Sequence, residues 1–205
     1  LGEPLMKIRA AATAALTVTA LLAFAGCAGT TSSGGDMSGM DHGSSSSASP
    51  AATGDANDAD IMFASMMMEH HTQAVEMSDT ILGKDGIDER VIALAEDIKA
   101  AQQPEIDTMD GWLEDWGADT SDMEGMDHGG GMMSEDDMQA LEDATGVDAS
   151  RLFLEQMIEH HRGAIDMAQD EVDNGQNGDA VALAQTIIDT QMTEIATMEE
   201  ILATL

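Results

Sequence analysis

The chain has 205 residues, of which 40 are acidic and only 7 are Lys or Arg, giving a formal net charge of −33. This balance excludes nucleic-acid binding, because phosphate contacts require a basic surface. A single cysteine excludes an internal disulfide and a structural metal site built from thiolates. The 18 methionines and 6 histidines stand out beside 3 Phe, 2 Trp and no Tyr.

The first residues of the chain predict export. A short basic start at residues 6–9 precedes an uncharged apolar run at residues 10–25, which is typical of a secretory signal. The segment Phe24-Ala25-Gly26-Cys27 resembles a bacterial lipobox, with Phe where Leu is usual. By that resemblance, residues 1–26 are a signal peptide of the lipoprotein type, and Cys27 bears the lipid that ties the protein to the membrane. The alternative is a secreted protein with a free thiol at Cys27. Both interpretations place the protein outside the cytoplasm.

Residues 27–56 are rich in Ser, Gly, Ala, Thr and Asp and have no apolar period. Such a segment buries too little surface to offset its ordering entropy, so it is predicted to be a disordered tether. Residues 57–205 are long enough to form one domain with a core.

That domain contains a duplication, with repeats at 58–116 and 148–205. A block from Phe63 to Met77 recurs from Phe153 to Met167, and a segment from Gln102 to Met109 recurs from Gln191 to Met198. Glycine-containing turns at 83–86 and 174–178 divide each repeat into two helices. The expected fold is therefore all-α, a four-helix bundle made of two helix hairpins.

Several details of the helices follow from local residue types. Asp88 and Asp179 are placed to act as N-caps of the second helix in each repeat. Pro104 lies inside the first of these helices and should kink or interrupt it. Between the repeats, a polar insert at 117–134 precedes a short helix that is expected to begin with a cap at Ser134 and to end near Gly146.

The duplicated block has the spacing of one helix face. Phe63, Met67, His70, Ala74 and Met77 follow one another at alternating steps of about four and three residues, which is helical periodicity. The block supplies equivalent imidazoles and thioethers in both repeats, and packing of the repeats would bring them together. The predicted ligands in the bundle are Met67, His70, His71, Met77, Met157, His160, His161 and Met167.

Imidazole and thioether together favour a soft ion such as Cu(I). The alternative is structural, because methionine at helical spacing commonly fills a core. Histidine fits that alternative less well, since each buried ring without a partner costs on the order of 1–3 kcal/mol. Nearby carboxylates on the same helices, such as Glu69, Glu76, Glu159 and Asp166, are candidate partners for the rings. A di-iron site is disfavoured, because Met or Ile stands three positions before each histidine, where such sites place glutamate.

A second motif, Asp-Met-x-Gly-Met-Asp-His-Gly, occurs at 36–43 and again at 122–129. Each copy offers two thioethers and one imidazole on a pliable backbone, as in the Met/His-rich strings of periplasmic copper-resistance proteins. Compositional drift in a linker is the weaker explanation, because Met and His are not typical linker residues. The predicted ligands in these octets are Met37, Met40, His42, Met123, Met126 and His128.

Residues 58–205, with both His-His blocks in view, resemble the bacterial family known as domain of unknown function 305. The segment Met-Ile-Glu-His-His-Arg-Gly-Ala-Ile-Asp-Met at 157–167 is close to the family pattern, and 67–77 is a looser copy. The resemblance implies a ferritin-like helical fold, an extracytoplasmic location and a role in copper handling. The histidine-bearing insert and Pro104 depart from the common pattern.

The sequence thus favours an extracytoplasmic lipoprotein that binds copper, as Cu(I), for tolerance or delivery. An envelope protein that donates or accepts copper would be its partner. No nucleophile–base pair or cofactor motif indicates catalysis, so an enzyme is the less favoured interpretation. Two alternatives stay open: a metal-dependent redox enzyme of the envelope and a metal-free interaction module.

Overall fold

Five α-helices make up the structure in the computed structural model, which describes residues 56–118 and 130–205. They are α1 (Asp58–Leu82), α2 (Glu89–Trp116), α3 (Glu135–Asp143), α4 (Gly146–Asn174) and α5 (Gly178–Leu202). Over these two ranges there is no strand, which confirms the predicted all-α class and the short helix between two hairpins. Every one of these helices is too short or too polar to span a bilayer.

Side-chain caps fix where most of the helices begin. The α2 N-cap is Asp88, whose carboxylate accepts from the backbone N–H of Arg90 at 2.9 Å, as predicted. Ser134 caps α3, as predicted, and forms a capping box with Asp137. The assignment of Asp179 was wrong. Asn177 caps α5 by accepting from the N–H groups of Asp179 and Ala180, at 3.0 and 3.1 Å, so Asp179 already belongs to the first turn.

The predicted interruption at Pro104 does not occur, since α2 runs through this residue as one helical segment. Proline removes one helix hydrogen bond and leaves a carbonyl four residues back without a donor. Both Pro104 and Ala100 are exposed, so water can satisfy that carbonyl. Buried residues on both sides of Pro104, including Ile98 and Met109, hold the two halves of α2 against the bundle.

Each hairpin packs most extensively within itself, α1 on α2 and α4 on α5, and the two hairpins meet through α1 and α4. The apolar residues form two clusters. We call the first the α3-side cluster; it includes Met77, Ile81, Phe153, Met157 and Leu141. The second, the Trp116 cluster, includes Phe63, Met67, Leu113, Trp116 and Ala168. Because Phe63 shares a cluster with Ala168 while Met77 shares one with Phe153, α1 and α4 run antiparallel.

Candidate functional site: a buried histidine layer

Four histidines lie between the two apolar clusters, and we call this set the histidine layer: His70, His71, His160 and His161. Each of them has no solvent exposure. His70 and His160 are in direct contact across the α1–α4 interface, with ring centroids 3.7 Å apart. The rings of His160 and His161 lie 6.5 Å apart. The helical spacing therefore predicted correctly that imidazoles from the two repeats would converge.

Two of the four rings are fixed by carboxylates from the second helix of each hairpin. His71 Nε2 lies 2.7 Å from Glu105 Oε2, and His161 Nε2 lies 2.6 Å from Glu194 Oε2. The carboxylate side chains are only partly exposed, at 21% and 14%. These partners lie on different helices from the histidines, whereas the sequence predicted partners on the same helices. One of those candidates, Glu159, instead pairs with Arg162 at the surface.

Most of the remaining polar atoms in the layer have no partner. Both ring nitrogens of His70 and of His160, and the Nδ1 atoms of His71 and His161, are buried without a hydrogen bond. The side-chain amides of Gln102 and Gln191, 3% and 2% exposed, contribute further unpaired atoms. Buried polar groups in folded proteins nearly always have partners, so such a concentration indicates a site that binds something.

The electrostatic environment keeps the central rings neutral. Burial, followed by the neighbouring His71 and His161, lowers the pKa of His70 to about 3. The pKa of His160 is also lowered well below its ordinary value, again chiefly by burial and then by the surrounding histidines. Neutral imidazole is the form that coordinates metal ions.

The predicted methionine ligands lie at different distances along the helices from this layer. Met67 and Met157, one turn before His70 and His160, are fully buried on opposite sides of the layer. Met77 is fully buried in the α3-side cluster. Met167 is only partly buried and lines a surface groove. Thioethers therefore flank the layer on both sides.

The end of the insert lies beside the histidine layer. Gln73, one turn after His70, accepts from the N–H of Met133 at 2.7 Å and donates to its carbonyl at 2.9 Å. Gly163, one turn after His160, packs so closely on Gly130 that a Cβ there would overlap the Gly130 carbonyl oxygen. Residues 130–133 thus lie across α1 and α4 next to the His70–His160 contact.

Imidazole nitrogens form the centre of the layer, thioethers flank it, and the oxygens of Glu105 and Glu194 bind two of the rings. Within 56–118 and 130–205, no three His, Cys, Asp or Glu side chains are arranged around a common point suited to an ion. An ion bound by both His70 and His160 would have to displace their ring contact. The other predicted sites, Cys27 and the two octets, with Met37, Met40, His42, Met123, Met126 and His128, lie outside the described residues.

Two groups that hold the layer, Glu105 and Glu194, escaped the sequence analysis. Their signal was present, because Gln-x2-Glu recurs at 102–105 and 191–194 within the duplication. A glutamine and a glutamate that recur in both copies on an otherwise apolar helix face indicate a polar function at the centre of the bundle.

Comparisons with known proteins agree with this architecture. The family model for domain of unknown function DUF305 matches residues 60–202. A DUF305 protein from Streptomyces coelicolor, named as a candidate secreted protein, is 35% identical with a TM-score of 0.66, over 71% of this chain and 93% of that one. A DUF305 fragment from Deinococcus radiodurans is 31% identical with a TM-score of 0.63, over 73% and 99%.

A third similar structure is CopM in its Cu(I)-bound form, with 29% identity and a TM-score of 0.59, over 71% of this chain and 96% of CopM. CopM also has structures in Cu(II)-bound and Ag-bound forms. A comparison with curated protein sequences gives no match. The family model spans most of the chain, and the chain belongs to the DUF305 family.

Proposed function

We propose that this protein binds copper outside the cytoplasm, as Cu(I), and that the histidine layer is its main site. The observation that carries the proposal is the set of buried imidazole nitrogens without partners at the meeting point of the two repeats. Leaving them unpaired is costly, and a bound ion would remove that cost. CopM, a relative of the same architecture, has been solved with Cu(I), Cu(II) and Ag.

The roles of the individual residues follow from their surroundings. The ring nitrogens of His70 and His160 are buried without a hydrogen-bond partner, so they are available to an ion. In His71 and His161 the glutamates bind Nε2, so Nδ1 is the atom left to ligate a metal. A carboxylate on the second ring nitrogen is a common way to orient a ligating histidine. Met67 and Met157 supply the thioethers that favour Cu(I) over harder ions. Met77 and Met167, about two turns beyond His70 and His160, are proposed as sulfur donors outside the layer itself.

The rest of the chain is proposed to deliver copper to this layer. Residues 1–26 would direct export, Cys27 would carry the lipid, and residues 27–56 would form the tether. The octets would capture ions and raise their concentration near the bundle, for tolerance or for transfer to an envelope partner. Support comes from the export signal and lipobox-like segment, and from the naming of the Streptomyces coelicolor relative.

An anaerobic Cu(I) titration against a chromogenic chelator tests the proposal, with bound ions counted per chain. The double variant His70→Leu and His160→Leu keeps much of the side-chain volume and removes the contacting imidazoles, so the tight component should disappear. The matched control, His42→Ala with His128→Ala, removes the octet imidazoles and should retain that component. Circular dichroism verifies that both variants fold. Unchanged tight binding in the first variant would exclude the paired His70 and His160 rings as the main site.

A further inference from the structure

A groove of about 500 Å³ opens between the start of α1 and the end of α4. Three methionines line it: Met62 and Met66, one turn apart on α1, and Met167 on α4. Met62 is 47% exposed, and the other two are partly buried. A methionine that fills a gap in a core has no reason to face solvent, so core packing accounts poorly for Met62.

The equivalent position in the second repeat is built differently. The alignment that pairs Phe63 with Phe153 pairs Met62 with Leu152 and Met66 with Gln156. Leu152 packs against the α3-side cluster, to which α3 contributes Leu141. Gln156 donates to the carbonyl of Asp137 on α3, at 2.9 Å. Within residues 56–118 and 130–205, a helix therefore closes one end of the α1–α4 pair and none covers the other end, where the methionines lie.

The surroundings of the groove are acidic. Asp58 and Asp170 are exposed at its rim. Glu171 also lines it, is 1% exposed and interacts with the buried Asp60. A carboxylate at Glu171 would leave both its oxygens without a donor, whereas the acid form can donate to Asp60. Exposed carboxylates attract cations to the groove, while its apolar lining disfavours hard, strongly hydrated ones.

We propose that the groove is a second metal site, in which Met62, Met66 and Met167 bind a soft monovalent ion, Cu(I) or Ag(I), through their thioether sulfurs. Thioethers select such ions and have little affinity for calcium, magnesium or zinc. The site is separate from the histidine layer, and it does not require that layer to bind metal. Its openness to solvent suits it to rapid exchange with ions or with a donor protein.

Ag(I) is the probe of choice, because it resembles Cu(I) and is not oxidised in air. The full-length protein, labelled with ¹³C at the methionine methyl groups, is titrated with Ag(I) and followed by NMR. The methyl signals of Met62, Met66 and Met167 should shift together in one step. Single Met→Leu variants assign the signals. Histidine ring signals, recorded in the same titration, report the histidine layer independently.

Replacing all three groove methionines by leucine should reduce binding by about one Ag(I) per chain, since leucine keeps the apolar volume and lacks sulfur. The Met62→Leu and Met66→Leu double variant, which spares the more deeply packed Met167, should show the same loss. Met192→Leu is the matched control; Met192 is 58% exposed on α5 and lies outside the groove, so the count should not change. The proposal is overturned if the three signals stay fixed or if the variants bind as many ions as the parent. Neither result bears on the histidine layer, which is read from the imidazole signals.

Discussion

The centre of the bundle and its two ends show opposite behaviour under the internal duplication. At the centre, each repeat provides the same His-His pair and the same glutamate partner. At the ends, equivalent positions differ: buried Asp60 bonds the loop before α5, whereas its counterpart Ser150 accepts from the N–H of Asp88 at 3.2 Å. Both side chains accept hydrogen bonds from backbone N–H groups just before the second helix of the opposite repeat. The ends therefore differ in chemistry between the repeats, while the centre has the same donor set in both copies, which supports the proposed binding site there.

The largest effects are expected from removing Glu105 and Glu194, the equivalent partners of His71 and His161 in the two repeats. Glu105→Ala and Glu194→Ala each leave a buried imidazole nitrogen unpaired, at a cost of about 1–3 kcal/mol of unfolding free energy. Urea unfolding should show two losses of similar size, and the double variant a larger one. Cu(I) affinity should fall by about 10–100-fold, because the orienting bond is lost.

Exposed Glu96 on α2 provides the control for this test, and Glu96→Ala should change the stability by less than about 0.5 kcal/mol. Strongly unequal losses from the two glutamate variants would show that the two halves of the layer are not equivalent.

The ends should respond unequally to the matching substitutions. Asp60 accepts from the backbone N–H groups of Asn57, Gln176 and Asn177, at 2.5, 3.0 and 2.8 Å, so Asp60→Ala should cost about 1.5–3 kcal/mol. Ser150→Ala removes one such acceptor and should cost about 1 kcal/mol. Thermal unfolding of the two variants side by side measures the difference. If Ser150→Ala proved the more damaging, the comparison between the ends would be wrong.

The attachment of residues 130–133 also differs between the repeats. Gly163 contacts the Gly130 backbone, whereas its counterpart Gln73 holds Met133 through hydrogen bonds. A methyl group at Gly163 would push this segment away from α4, and Gly163→Ala should cost about 1–3 kcal/mol despite the better helix propensity of alanine.

The control is Gly111→Ala in α2, where a Cβ would have nothing within 4 Å. It should raise the melting temperature, because alanine favours the helix. A stable Gly163→Ala variant would mean that the contact between Gly130 and α4 contributes little.

Sequence periodicity predicted the helices and the convergence of the histidines, because burial of one helix face determines both. It failed where the outcome depends on tertiary context. The side chain of Asn177, and not that of Asp179, accepts the hydrogen bonds that cap α5. Pro104 is exposed, and α2 continues through it. The packing of Gly163 against Gly130 joins segments with no shared pattern, so no periodicity could reveal it.

The smallest expected effect concerns Glu171, whose counterpart in the first repeat is the apolar Ile81. Burial, followed by the hydrogen bond and charge of Asp60, raises the pKa of Glu171 to about 8. The folded protein therefore holds this proton between about pH 4.5 and pH 8, where the unfolded chain releases it, and stability should fall as the pH rises through that window.

Glu171→Gln replaces the titratable carboxyl group with an amide that can still donate to Asp60. Its gain in unfolding free energy over the parent should therefore be near zero at pH 4.5. Above pH 8 it should reach at least about 1 kcal/mol, since one unit of pKa shift corresponds to 1.36 kcal/mol. Urea unfolding at the two pH values measures the change, with exposed Glu155→Gln on α4 as the control for lost surface charge. An equal benefit at both pH values would mean that Glu171 is ionised throughout. In that case the groove end of the bundle would carry a buried negative charge that an incoming cation could neutralise.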